Sequence, residues 1–294
     1  GIHPVSSSMI AQKWSKRKIG FALSLFYGLG YVGNIIGPLL LSTIALKTEW
    51  RVPYYLIAAA FLSCGILTFF TLRGEPAGEK STSRQSGRLI DDIKSALKIK
   101  EATLILIAQA FISGGTGMGV MTTWVPVFLR DPTKGLALDV WTAGLISSIA
   151  MSGGVVGTIL FGRIADKRGY LKTAMSSLAV TTITIFLLNF EGSFSLLVVP
   201  HLFILSMTTF SMTSLLQAHL AEVSTTSQRE ILLGLYFTMG QGVSALWSTF
   251  LGYLVDLYSY NAIWITMVFA GVAAMACLVI AYRAFMKKRL EKRN

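Results

Sequence analysis

Apolar runs as long as a bilayer core is thick dominate this sequence, and no water-filled fold accommodates so many of them. A helix needs about 20 mostly apolar residues to cross the hydrocarbon. Eight stretches qualify, at roughly 19–46, 53–72, 102–129, 140–162, 172–190, 194–220, 231–256 and 261–282, and a shorter apolar piece covers about 1–12. All 14 Asp and Glu fall in loops or at helix ends, as the cost of a charge in lipid requires. Only 14% of the 294 residues are charged, against about 25% in a soluble domain. The expected class is therefore all-α and polytopic in a membrane.

The net charge of +12 raises the question of a nucleic-acid partner, and the placement of the basic residues answers it. Loops that alternate with the proposed spans collect Lys13 to Lys18, Arg73 to Lys100, Arg163 to Lys172, Arg229, and Arg283 to Arg293. Of the 26 Lys and Arg, only Lys47, Arg51, Arg130 and Lys134 fall on the other side. This is the positive-inside pattern. It predicts a cytoplasmic C-terminus and accounts for the charge by topology, so no nucleic-acid partner is expected. Cys64 and Cys277 lie inside apolar runs without CxxC spacing, and His is scarce, so neither a disulfide framework nor a metal site is expected. No GxxxxGK(S/T) loop is present, which argues against ATP-driven transport, and no cofactor is expected. A membrane-embedded enzyme needs clustered His, Asp or Glu near one face, and none are clustered, so no enzymatic activity is expected.

One long polar stretch, 73–101, interrupts the spans. It opens Gly/Pro/Ser-rich, and then Leu89, Ile93, Ala96 and Leu97 recur at helical spacing, as in a short amphipathic helix on the membrane face. The expected division is a remainder of an N-terminal bundle (1–72), a cytoplasmic linker (73–101), a C-terminal bundle (102–283) and a basic tail (284–294). An offset of 210 residues keeps 1–12, 19–46 and 53–72 in register with about 211–222, 229–256 and 263–282. Leu23 then meets Leu233, Leu25 meets Leu235, Gly30 meets Gly240 and Leu41 meets Leu251. If 102–282 forms six helices, the first half should too, so three helices are expected to precede Gly1. As a helix, Gly1 to Gln12 spans only about 18 Å. Parallel six-helix halves place a site between them near the midplane.

Four motifs carry a family resemblance. Gly162-Arg163-Ile164-Ala165-Asp166-Lys167-Arg168-Gly169 is similar to the signature loop of the major facilitator superfamily, departing at Tyr170, where a basic residue is usual. Glu222 and Arg229 match a Glu-x6-Arg pair at the end of the tenth helix. Gly252-Tyr253-Leu254-Val255-Asp256 resembles the Gly-x-x-x-Asp that ends helix 11. Gly33, Gly37 and Pro38 resemble the helix-packing motif of drug exporters, with Leu41-Ser42 in place of the usual Gly-Gly. A narrower likeness is to fosmidomycin-resistance-type exporters, on Ile2-His3-Pro4 and on Gly33-Asn34 with Gly37-Pro38. The resemblance implies helices 4–12 of a twelve-helix carrier in the plasma membrane, functional as a monomer. It implies a secondary transporter moving a small organic solute by alternating access, with proton-coupled efflux as the leading form. An organic-anion or sugar-type uptake permease or exchanger is the alternative, and a non-transporting receptor or scaffold is the rival from another class.

Physical roles follow for these residues. Asp166 can accept from the free N–H groups of a helix starting near Ile19-Gly20, and Glu222 can pair with Arg168 or Arg229. Together with Gly162, Lys167 and Gly169 these form a gating latch. Pro38 is expected to kink its helix, and the glycines at 114–119 to let theirs bend. Polar residues at membrane depth are His3, Asn34, Gln109, Thr116, Thr123, Trp124, Thr209, Gln217, Tyr236 and Gln241. Amides and imidazoles cost most to bury, and the superfamily's cavity-lining helices carry His3, Asn34, Gln109, Trp124 and Gln241, so these five are the candidate solute contacts. With no acid at mid-depth, His3 is the visible candidate for a proton carrier.

Overall fold

A computed structural model describes residues 18–72, 86–191 and 195–291, with Ile10 and Trp14, and among these residues there is no strand. His3 and most of the 1–12 segment lie outside the described residues, as does most of the linker's polar opening. Among the described residues eleven α-helices follow in order: α1 (Ile19–Gly30), α2 (Val32–Lys47), α3 (Val52–Leu72), α4 (Ser86–Leu97), α5 (Lys100–Phe111), α6 (Val125–Arg130), α7 (Val140–Arg168), α8 (Tyr170–Leu187), α9 (Val198–Val223), α10 (Thr226–Leu257) and α11 (Tyr260–Glu291). Among the described residues seven helical stretches are long and apolar enough to cross a membrane. The eighth expected span, α10, has 32 residues, ample length, but Gln241, Ser244, Ser248 and Thr249 make it too polar to qualify.

Several boundaries differ from the sequence reading, each for a local reason. The 19–46 stretch is two helices, broken at Tyr31 rather than at Pro38, which sits inside α2. The stretch 102–129 is likewise interrupted. After α5 come two π-helical turns, Ile112–Thr116 and Val120–Trp124, flanking the glycine-rich Gly117–Gly119. The signature motif is not a loop. Residues 162–168 form the last two turns of α7, because nothing breaks the helix until Gly169, whose φ of +96° suits glycine alone. That single residue lets α8 begin at Tyr170. The basic tail is equally helical, continuing α11 to Glu291.

Glycine sets how closely the helices pack. A Cβ at Gly153 would fall 2.3 Å from the Phe203 carbonyl oxygen, and one at Gly157 would fall 2.0 Å from that of Met207. The i, i+4 pair thus brings α7 against the backbone of α9, as small residues do between membrane helices. Gly144 does the same against Ser42 and the Pro38 carbonyl of α2. At Gly33 and Gly37, where the exporter motif led us to expect such packing, no described atom lies within 4 Å of an added Cβ. A hydroxyl seam joins α8 to α9, with Ser177 Oγ donating to the Thr208 carbonyl at 2.9 Å and Thr181 Oγ1 to Thr208 Oγ1 at 2.8 Å. Buried apolar side chains gather in two layers. One surrounds Leu23, Ile105, Leu178, Leu215 and Tyr236 toward the basic loops; the other surrounds Tyr31, Phe128, Phe210 and Trp264 toward the opposite end. α3 is apolar on all sides and exposed from Tyr54 to Phe70, with Phe61 at 73% and Leu62 at 68%.

Both ends carry specific polar ties. At the basic end, Lys288 Nζ of α11 donates to Glu101 Oε2 of α5 at 2.8 Å, and Glu101 is fully buried. At the other end the Asp131 carboxylate accepts the backbone N–H groups of Thr133 (2.8 Å) and Lys134 (3.0 Å) and the Tyr260 hydroxyl (3.1 Å). Lys134 Nζ reaches across to the carbonyls of Val255 and Asp256, closing the end of α10. Asp139 caps α7 by accepting the N–H groups of Trp141 and Thr142.

Two outcomes test these ties. Lys288→Met leaves a buried carboxylate without its cation and should cost about 3 kcal/mol. A thermal-unfolding assay in detergent should show the loss, and adding Glu101→Gln should recover most of it. The backbone hydrogen bonds from Lys134 and then Thr133 hold the Asp131 carboxyl down at about 2. Because this lies below the ordinary value near ~3.9, the stabilisation is complete above that value and is lost as pH falls from ~4 to ~2. Asp131→Asn should flatten that part of the curve of melting temperature against pH.

Candidate functional site

The signature residues converge where α7 meets α1. The first turn of α1 presents backbone N–H groups with no partner inside the helix, and Asp166, partly buried in the last turn of α7, faces them. Asp166 Oδ2 accepts the Phe21 N–H at 3.2 Å, and Oδ1 accepts the Tyr170 hydroxyl at 3.0 Å. The residue that departs from the basic consensus is thus a hydrogen-bond donor to the carboxylate and is itself buried. The Arg163 guanidinium lies over the Phe21 ring, 5.0 Å from its centroid, adding a cation–π contact across the same junction. Lys167 and Arg168 point to solvent, and Gly162 is buried.

The acid–base pair at 222 and 229 is arranged differently from the expectation. Glu222 Oε2 meets His219 Nδ1 at 3.3 Å rather than Arg168 or Arg229. Arg229 is 7% exposed and donates to the Ala221 carbonyl at 3.3 Å, so it caps the end of α9. The helical path explains the difference. Residues 219 and 222 are one turn apart on the same face of α9, whereas Arg229 lies beyond the turn at Ser224. His201, at the other end of α9, sits between Glu191 Oε1 (3.0 Å) and the Thr184 carbonyl (2.8 Å) and straps α8 to α9.

Above the Asp166 junction, α1 and α9 are zipped together. Ser24 Oγ donates to Ser214 Oγ at 3.1 Å, and the Tyr27 hydroxyl donates to Gln217 Oε1 at 2.9 Å. The Tyr31 ring meets that of Phe210 edge-on at 4.6 Å. All six side chains are buried. Ser24, Tyr27 and Tyr31 form one helical stripe, which single-residue polarity at membrane depth does not reveal. The i, i+3, i+7 spacing was the available signal.

Beyond this seal lies a cavity of about 200 Å³ between the π-helical section, α9 and α10. Gln109, Thr209, Tyr236 and Gln241 line it, with Phe237 and Met118. Two of the five proposed solute contacts, Gln109 and Gln241, therefore reach the cavity. Trp124 does not: it is buried in the packed layer near Gly252. Asn34 is half-exposed on α2 away from the cavity wall, and His3 is outside the described residues. The π-helical section is held by α10. Trp247 Nε1 donates to the Ala110 carbonyl at 2.8 Å, and its indole occupies the space left by Gly114.

Known proteins share this architecture. The family model of the Major Facilitator Superfamily matches residues 1–248, and again 142–294. The chain belongs to the Major Facilitator Superfamily. Relatives include the "Multidrug resistance protein MdtG" of Yersinia enterocolitica, 22% identical over 183 residues, which cover 62% of this chain and 43% of the relative. The protein of the same name from Proteus mirabilis is 24% identical over 183 residues, 62% of this chain and 44% of that one. This superfamily member thus spans less than half the length of the curated relatives it matches. Among solved structures, a bacterial homologue of the iron transporter ferroportin in its outward-facing state superposes with a TM-score of 0.67. It shares 11% identity and covers 93% of this chain and 66% of that one. The superfamily fold and the multi-pass membrane placement are both established by these matches.

The Gly114 contact yields a test. A Cβ there would lie 1.9 Å from Trp247 Cγ. Gly114→Ala should therefore displace the indole, break its bond to Ala110 and lower stability by about 2 kcal/mol. Combined with Trp247→Ala, the two losses should be far from additive in a double-mutant cycle.

Proposed function

We propose that this chain is part of a secondary transporter that moves a small organic solute out of the cell by alternating access, in the plasma membrane and with its C-terminus cytoplasmic. The observation that carries the reading is the Asp166 junction: one carboxylate holds the first turn of α1 through the Phe21 N–H and is itself held by the Tyr170 hydroxyl of α8. On the same side, the Ser24–Ser214 and Tyr27–Gln217 bonds tie α1 to α9, whose Thr209, Met212 and Thr213 line the cavity. Such an arrangement is one of two states of a gate, closed at the basic-loop end. The positive-inside pattern makes that end the cytoplasmic one. The state is then outward-facing, like the state in which the similar ferroportin homologue was crystallised. Efflux is preferred over uptake because the curated relatives are called multidrug resistance proteins. The monomer is the proposed working unit, since each step of the gate uses contacts within one chain.

Proton coupling is proposed to use a group outside the wall that the described residues build, with His3 as the candidate in this sequence. The wall built by the described residues carries no Asp, Glu, Lys, Arg or His. Glycines within α7 allow the helix to pivot closely on α9 as the junction opens.

Flux into proteoliposomes of the full-length protein tests the gate. Asp166→Asn keeps the shape of the side chain but weakens a charge-assisted acceptor, whose bonds are worth about 1.5–3 kcal/mol. It should cut flux at least ~10-fold with normal membrane insertion, and Tyr170→Phe should give a smaller loss of the same kind. Ser24→Cys with Ser214→Cys should form a disulfide under mild oxidant that arrests flux, with recovery on reduction. Normal flux in Asp166→Asn, or in the cross-linked protein, would refute the gate.

A further inference from the structure

A second pocket, of about 430 Å³, shares no wall residue with the cavity around Gln109. It opens among the ends of three helices on the basic-loop side. Glu101 of α5, Glu222 of α9, and Phe285, Lys288 and Arg289 of α11 are in its wall. Glu101 is only 1% exposed. Its Oε2 accepts Lys288 Nζ at 2.8 Å, while its Oε1 has no partner among the described residues. A carboxylate oxygen desolvated without a donor is costly, and this one belongs to a residue that lines an open pocket. Glu222 is steadied by His219 Nδ1 at 3.3 Å, and the His219 ring meets Phe285 edge-on at 4.9 Å. The Arg289 guanidinium lies 6.0 Å from the centroid of the same Phe285 ring. With Lys288 answering Glu101, Glu222 and Arg289 give the described wall one further charge of each sign, on two different helices. The depth is that of the lipid headgroups. The apolar span of α5 begins just beyond Glu101, and that of α11 ends before Arg283. Leu290, beside these charges, is 58% exposed.

We infer that this pocket holds the headgroup of an aminophospholipid from the leaflet on the basic-loop side. The primary ammonium donates to Glu101 Oε1 and is drawn by the Glu222 carboxylate. The phosphate takes Arg289, whose guanidinium suits phosphate geometry, and Lys288 adds its charge at the rim. Ile99 and Val223, also in the wall, give apolar contact to the carbons between. Free phosphoethanolamine carries the same two charges, and the membrane-level position selects the lipid. The bound headgroup ties α5 to α9 and α11, whatever the protein transports.

The test uses delipidated full-length protein in detergent and three lipids with identical acyl chains. Phosphatidylethanolamine has both charges and N–H donors, phosphatidylcholine has a quaternary ammonium with no N–H, and phosphatidylglycerol has a phosphate and no cation. Native mass spectrometry reads retained lipid, and thermal unfolding reads the stabilisation. Phosphatidylethanolamine should bind at least ~10-fold more tightly than either of the others, the value of one charge-assisted hydrogen bond. Glu101→Gln should erase that preference. If it unfolds alone, the Lys288→Met, Glu101→Gln double variant carries the same test. Arg289→Gln, an exposed change, should weaken all three lipids about 3-fold. Free O-phosphoethanolamine at the same concentration should leave the melting temperature unchanged. Equal binding of the three lipids, or retention of none, would overturn the inference. So would a preference that survives the loss of Glu101, the result expected if that residue serves only the fold. Binding indifferent to Arg289→Gln would remove the phosphate from its proposed place, and protection by the free headgroup equal to that of the lipid would remove the lipid.

Discussion

Hydrocarbon offers a backbone nothing to bond with, and that constraint governs every feature of this molecule. A chain in lipid is helical wherever it can be, and each departure has to be answered by another part of the protein. The breaks here obey that rule. The π-helical section between α5 and α6 is met by the Trp247 indole on the Ala110 carbonyl. The open first turn of α1 is met by the Asp166 carboxylate. The open end of α10 is met by the Lys134 ammonium. In each case a side chain from a distant part of the sequence supplies the partner that the local backbone lacks.

The fold is legible in the sequence because its signals are long and cumulative. Eight runs of some 20 apolar residues and a one-sided distribution of Lys and Arg cannot arise by accident, and both are read without knowing any contact. The relation of Asp166 to a helix starting near Ile19 is legible too, since a lone acid among basic residues at a helix end has few uses in a membrane. Other parts are hidden. The spacing of Glu222 and Arg229 suggests a pair, but a helix turn between them sends Arg229 to a carbonyl and leaves Glu222 with His219, one turn back. Trp124 is polar and deep enough to suggest a solute contact, yet the direction of its side chain depends on the π-helical register, which hydropathy does not encode. Among the described residues close approaches of α7 to its neighbours fall at Gly144, Gly153 and Gly157, which no motif in the sequence marks. A small residue shows where helices are able to approach, and only the partner's backbone shows where they do.

Burial inside this protein is more polar than hydropathy suggests. The Ser177, Thr181, Thr208 and Ser211 seam joins α8 to α9 through hydroxyls, of which those of Thr208 and Ser211 serve their own helix as well. Without a hydrophobic drive between helices, such short bonds and close-packed glycines are what distinguish one helix pairing from another. The α1–α9 zipper is built from the same materials, with two hydrogen bonds and one aromatic contact, and it is far smaller than the α7–α9 interface.

α7 runs unbroken for 29 residues, about 43 Å, from the cap at Asp139 to the carboxylate at Asp166. It crosses α9 near its middle, where Gly153 and Gly157 let the two backbones touch. A rod gripped at the centre is a first-class lever: when one tip swings outward, the other swings inward by a similar arc. Were α7 to turn as one rigid body about that crossing, parting Asp166 from α1 at one end would carry Asp139 with it at the other, with no relay of intermediate residues between them.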